Sequence, residues 1–140
     1  MVTALDTNVL VALWDRDDMW NSAAEGVLKS AQSRGKLVIS GVVFAELLAF
    51  PRRKETFIDR FLNDTGIGVE WAIQESMWRL AGVAYQAYSV RRRKQAGGSP
   101  RRLLADFLIG AHALEKGYPL LTFDNRIYRS AFPKLPLVNF

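Results

Sequence analysis

Short apolar runs with strand preference alternate with longer stretches of helical spacing, and this alternation restricts the fold of the 140-residue chain more than any other feature. Val2 to Leu5 reads as a strand, and Asp6-Thr7-Asn8 supplies N-cap chemistry for an apolar helix through Trp14. Asn21 or Ser22 caps a second helix that Gly35 stops, Leu37 to Ile39 forms a second strand, and Ser40 caps a helix that Pro51 breaks near Phe50. Helical periodicity resumes over 54–63, and Ile67 to Glu70 is a short third strand. Ile73, Met77, Leu80, Ala81, Ala84, Tyr85 and Tyr88 then give one long amphipathic helix. Gly97 to Pro100 is a connector, Leu103 to Glu115 a largely apolar helix, Pro119 to Phe123 a fourth strand with a short helix after it, and Pro136 to Phe140 a fifth strand. The pattern predicts one α/β domain over residues 1–140, with a mainly parallel central sheet of about five short strands flanked by helices. Sheets of this kind place ligands beyond the carboxyl ends of their strands.

The chemistry open to such a site is narrow. The chain has no cysteine and a single histidine, His112, which excludes disulfides, thiol nucleophiles, iron-sulfur clusters and multi-histidine zinc centres. His112 itself reads as an ordinary helix residue, and Trp14, Trp20, Trp71 and Trp78 as core or dimer contacts. The opening Met1 to Asp6 lacks a basic signal region and no run is long and apolar enough to span a bilayer, so a soluble cytoplasmic protein without a membrane is expected.

Charge is unevenly placed. From Ser76 to Ala105 there is no acid, and this window holds Arg79, Arg91, Arg92, Arg93, Lys94, Arg101 and Arg102. Those seven of the 19 basic residues leave 12 against 14 acids elsewhere, so the net +5 is local. A basic patch of this kind suits a polyanion, whether nucleic acid or acidic protein, and it equally suits the solvated end of a long helix.

Four carboxylates stand alone in apolar surroundings. Asp6 follows the first strand, Asp124 closes Leu120 to Phe123, Glu46 is the only charge from Ser40 to Phe50, and Asp106 is the only one between Arg102 and Glu115. A helix that is apolar nearly all round should be buried, and buried acids need compensation. The parallel-sheet topology puts Asp6 and Asp124 on one rim, with Glu46 and Asp106 near the starts of helices that open toward it. Acids crowded together gain protons unless a cation sits among them, and an all-oxygen set prefers Mg²⁺ or Mn²⁺. Such a site suits phosphodiester hydrolysis. Each acid also has a plain structural role open to it: Asp6 and Asp124 as caps, Glu46 paired with an arginine, Asp106 with Arg102. Asn8 and Thr122 are softer candidates for orienting a carboxylate or a water.

At these residues the sequence resembles the PIN-domain family, in particular the compact VapC-type ribonuclease toxins of toxin-antitoxin pairs. Leu5-Asp6-Thr7-Asn8-Val9-Leu10 resembles the first acidic motif, Ala45-Glu46-Leu47 the second, Ala105 to Ala111 the third and Leu121 to Tyr128 the fourth. The four in order are specific where none is alone. The resemblance implies an Mg²⁺- or Mn²⁺-dependent endoribonuclease in which Asp6, Glu46, Asp106 and Asp124 hold the metal, and Asn8 and Thr122 match supporting positions. It further implies an RNA substrate, a homodimer, and a cognate antitoxin that inhibits the toxin and represses their operon. The basic segment, longer than a minimal member requires, makes Arg91, Arg92, Arg93, Lys94, Arg101 and Arg102 candidates for contact with RNA. A PIN nuclease of host RNA processing without an antitoxin, and a PIN-like module that binds RNA or protein without cutting, are the alternatives. A phosphoacceptor receiver wants a second acid at the first strand and a lysine near the last. A haloacid-dehalogenase-like phosphatase wants an acid where Asn8 stands.

Overall fold

The computed structural model describes residues 1–94 and 104–140. Among them the chain runs β1 (Val2–Leu5), α1 (Thr7–Trp14), α2 (Asn21–Ser33), β2 (Lys36–Ser40), α3 (Gly41–Ala49), α4 (Glu55–Thr65), β3 (Gly68–Glu70), α5 (Glu75–Lys94), α6 (Leu104–Lys116), β4 (Leu120–Leu121) and α7 (Asn125–Ala131). The four strands form one parallel sheet in the order β3-β2-β1-β4. Successive side chains of a strand point to opposite faces, and Thr3 to Leu5, Leu37 to Ser40 and both residues of β4 are buried. The sheet is therefore covered on both sides, as parallel sheets require.

Local chemistry sets the boundaries. Asp6 caps α1 by accepting from the Thr7 amide, Ser40 caps α3, and Gly66 ends α4 in the left-handed conformation at φ 71°. Gly110 lets α6 approach the ring of Phe132, which any Cβ there would strike. The anticipated fifth strand is reduced to one bridge, Leu137 to Leu120. Its partner β4 is too short to support more, because the chain turns away after Leu121 when the Phe123 amide donates to the Asn8 side chain.

Burial of the two apolar helices differs from the sequence reading. Phe107 to Ala113 of α6 are buried without a break. On α3, however, Leu48 is 37% exposed and Phe50, its C-cap, 56%. This nine-residue helix packs against α1, α4 and α6, and its apolar residues outnumber the positions those neighbours cover. Of the tryptophans, Trp14 sits against Phe57 and Phe61 and Trp20 stacks on Phe123, whereas Trp71 and Trp78 are exposed and contribute no core.

Candidate active site

In the order β3-β2-β1-β4 the direction of strand addition reverses beside β1, so the crevice between the carboxyl ends of β1 and β4 is the expected ligand position. Leu5 pairs with Leu121, and the Asp6 amide donates to the Leu121 carbonyl at 2.9 Å. Asp6 and Thr122 thus leave the sheet side by side. An open cleft of about 570 Å³ lies here, lined by Asp6, Glu46, Asp106 and Asp124 together with Thr7, Asn8 and Tyr128. Four chain segments far apart in sequence contribute one acid each, and the lining contains no lysine or arginine among the described residues.

Asp6 is the most enclosed of the four, at 5% exposure. Its Oδ1 accepts from the Thr7 amide and its Oδ2 from the Thr122 hydroxyl, both at 2.7 Å. These bonds favour the ionised form, yet desolvation outweighs them and lifts the carboxyl from 3.8 to about 6. Thr122, fully buried, also accepts from the Asp124 amide at 3.0 Å and from Asn8 Nδ2 at 3.2 Å. The Asn8 carboxamide oxygen accepts from the Phe123 amide at 3.1 Å. Asn8 and Thr122 therefore stitch the start of α1 to the end of β4 and fix the turn that carries Asp124. Asp124 occupies the N-cap position of α7 without a side-chain cap bond, so capping does not explain it. Asp6, by contrast, does cap its helix while also lining the cleft.

Two further residues belong to the site. The Thr7 hydroxyl donates to Glu46 Oε1 at 2.5 Å and holds the α3 carboxylate toward β1. Tyr128 is buried, with its hydroxyl beside the Asp6 carboxylate. Burial, then the charges of Asp6, Asp106 and Glu46, push this phenol well above its ordinary value. Three acids are thus close enough to act on one hydroxyl. Both residues were within reach of the sequence: Thr7 is a hydroxyl beside the first acid, and Tyr128 lies one helical turn after Asp124. The sequence offered no sign that the hydroxyl of Thr7 would reach across to α3.

His112 lies outside the cleft lining. Its ring nitrogen is 2.8 Å from Glu70 Oε1, and the Tyr118 hydroxyl donates to Glu70 Oε2 at 2.8 Å, which ties α6 and its following loop to β3. Arg91 to Lys94 form the last turn of α5, where Arg91 reaches Ser130 of α7 at 3.4 Å. Arg101 and Arg102 lie outside the described residues, and with them the suggested Asp106–Arg102 pair.

The model of the family described as PIN domain matches residues 3–133. The chain belongs to the PIN domain family. Among solved structures it is similar to VapBC2 of Rickettsia felis bound to a promoter DNA fragment, with 19% identity, coverage of 99% of this chain and 98% of the other, and a TM-score of 0.69. VapBC-1 of nontypeable Haemophilus influenzae gives the same values. VapC20 of Mycobacterium tuberculosis, a toxin that cleaves the sarcin-ricin loop, is 18% identical over 100% of both chains, with a TM-score of 0.63. At this identity the likeness establishes the shared PIN fold over the full length of those chains. Among curated proteins no sequence matches significantly.

Proposed function

We propose that this PIN domain is a metal-dependent endoribonuclease acting as the toxin of a toxin-antitoxin pair. The observation that carries the reading is the convergence of Asp6, Glu46, Asp106 and Asp124 on one cleft. Carboxylates gathered in one depression repel each other, and a cation among them relieves that repulsion. Asp6, the buried member, is lifted to about 6 chiefly by desolvation, with the charge of Glu46 the smallest contribution. An oxygen-only donor set fits Mg²⁺ or Mn²⁺. Among the described residues no three acids stand at a common ligand distance. The fit therefore rests on donor chemistry and placement.

When bound, the ion supplies a Lewis acid and an activated water. The chain's own part is positional. Thr122 and the Thr7 amide fix both oxygens of Asp6, the Thr7 hydroxyl fixes Glu46, and Asn8 locks the two sides of the cleft together. Near pH 6 Asp6 is half protonated, so a proton taken up there is lost again close to neutrality. The basic end of α5, joined to α7 through Arg91, is suited to phosphates flanking the cleft. The relatives crystallised as VapBC complexes support a protein antitoxin, and the exposed Leu48, Phe50, Trp78, Val83 and Val90 offer apolar surface for that partner or for a second copy.

Cleavage of mixed tRNA and rRNA by purified protein, with Mg²⁺, Mn²⁺ or EDTA, tests the reading, with Asp106→Asn as control. Metal-dependent cutting lost in a folded variant is expected. Absence of cutting by folded, partner-free protein under either metal refutes it. Growth arrest on expression, absent for Asp106→Asn and relieved by a protein encoded beside it, separates the toxin from a housekeeping nuclease.

A further inference from the structure

Four carboxylates outnumber the charge of one divalent ion, so the cleft proposed to cut a polyanion gains from cations outside it. The wall formed by α3 leads directly to such a set. Ala49 and Phe50 line the acidic cleft, and two residues further on Arg52, Arg53 and Lys54, with Arg60 of α4, line a separate depression of about 390 Å³. Glu55 and Asp59 lie in the same segment and do not line it. None of the four cations forms an ion pair among the described residues. Arg53 is immobilised, its Nη2 donating to the Trp14 carbonyl at 3.0 Å and its guanidinium lying 4.9 Å from the centre of the Phe57 ring. Arg52 holds φ at 66°, a conformation that costs a non-glycine residue about 1 kcal/mol or more. Four cations without an ion pair around one concavity repel each other, and a phosphate would reduce that repulsion. This wall is distinct from the α7 wall that Arg91 touches, so the acidic cleft has cations on two walls.

Resting on the nuclease reading above, we propose that Arg52, Lys54 and Arg60, around the fixed Arg53, form a phosphate-binding subsite that holds the backbone of single-stranded RNA along the α3 side of the cleft. The test uses Asp106→Asn protein, a 5′-fluorescein-labelled mixed-sequence 20-nucleotide RNA, and fluorescence anisotropy from 50 to 300 mM salt. Adding Arg52→Ala and Arg60→Ala should weaken binding about tenfold and flatten the log-log salt slope by about 1.4, roughly 0.7 for each phosphate of a single strand that is no longer neutralised. Restoring both positions as lysine should recover most of the slope. Arg60→Glu alone, at an exposed helical position, repeats the test without touching the Arg52 turn and should weaken binding at least as much. Unchanged affinity and slope in folded variants overturn the subsite. So does intact RNA binding with loss of binding to a poly-glutamate peptide, which would assign the patch to an acidic protein. Metal-dependent cleavage of the same RNA by protein retaining Asp106 is followed separately. No cleavage, with RNA binding that still depends on the arginines, refutes the nuclease and upholds the patch.

Discussion

Replacing Asp6 with asparagine should stabilise the metal-free protein above pH 6 and make it slightly less stable, by under about 1 kcal/mol, at pH 4. The carboxyl titrates at about 6 in the folded chain against an ordinary 3.8, so between those values the folded state binds more protons than the unfolded one. Stability therefore falls as pH rises through this window, and is restored as pH drops below it. The gap amounts to about 3 kcal/mol of penalty when Asp6 is ionised. Asparagine removes the penalty but turns an amide toward Thr122, which already accepts from Asn8 and Asp124, at a cost of about 1 kcal/mol for the lost bond. The net gain at pH 8 is about 2 kcal/mol. For 140 residues the unfolding entropy is about 0.3 kcal/mol per degree, so the midpoint should rise by about 7 °C. Thermal melts of both proteins in EDTA from pH 4 to 8 measure this difference. A variant that is less stable than the parent at pH 8, or a difference that does not change with pH, would show that burial of this carboxylate is not the dominant charge cost. Mg²⁺ added at pH 8 should raise the midpoint of the parent and not that of the variant.

Other substitutions separate the site from the scaffold. Thr122→Val keeps the volume but removes the donor to Asp6 and the acceptor for Asp124 and Asn8, and should lower cleavage 10- to 100-fold, read as initial rates against Mg²⁺ concentration. Unaltered kinetics would deny Thr122 a positioning role. Glu70→Gln weakens the ties to His112 and Tyr118, and urea titration should show a loss of about 1–2 kcal/mol while the cleavage rate stays put. A fall in rate without loss of stability would bring His112 back as a participant. In Gly110→Ala the new methyl group lies 2.6 Å from Phe132 Cδ2, and overpacking should cost about 1–3 kcal/mol by the same titration. An unchanged midpoint would mean that the Phe132 ring moves aside freely.

Legibility followed the range of the interactions. Caps, breakers and apolar periodicity are local, so Ser40, Gly66 and the α5 stripe marked their elements within a residue or two. The common rim of Asp6 and Asp124 also followed from sequence, because a parallel sheet fixes which strand ends share a side. Contacts between distant segments did not. Nothing near Thr7 signals that its hydroxyl lies against Glu46, and nothing near Arg52 to Lys54 signals that they share a depression with Arg60 beyond Glu55 and Asp59. The exposed side of α3 misled for a related reason, since apolar composition reports a preference for cover and not whether this chain alone provides it.

The bonds that assemble the cleft join the first eight residues to residues 121–124. A ribosome making the chain at roughly 5–20 residues per second produces Asp6 seconds before Thr122 exists. During that interval β1 lacks its β4 neighbour, Asp6 lacks the hydroxyl that orients it, and Asp124 is still unmade. The acidic cleft therefore cannot assemble before residues 121–124 have been made.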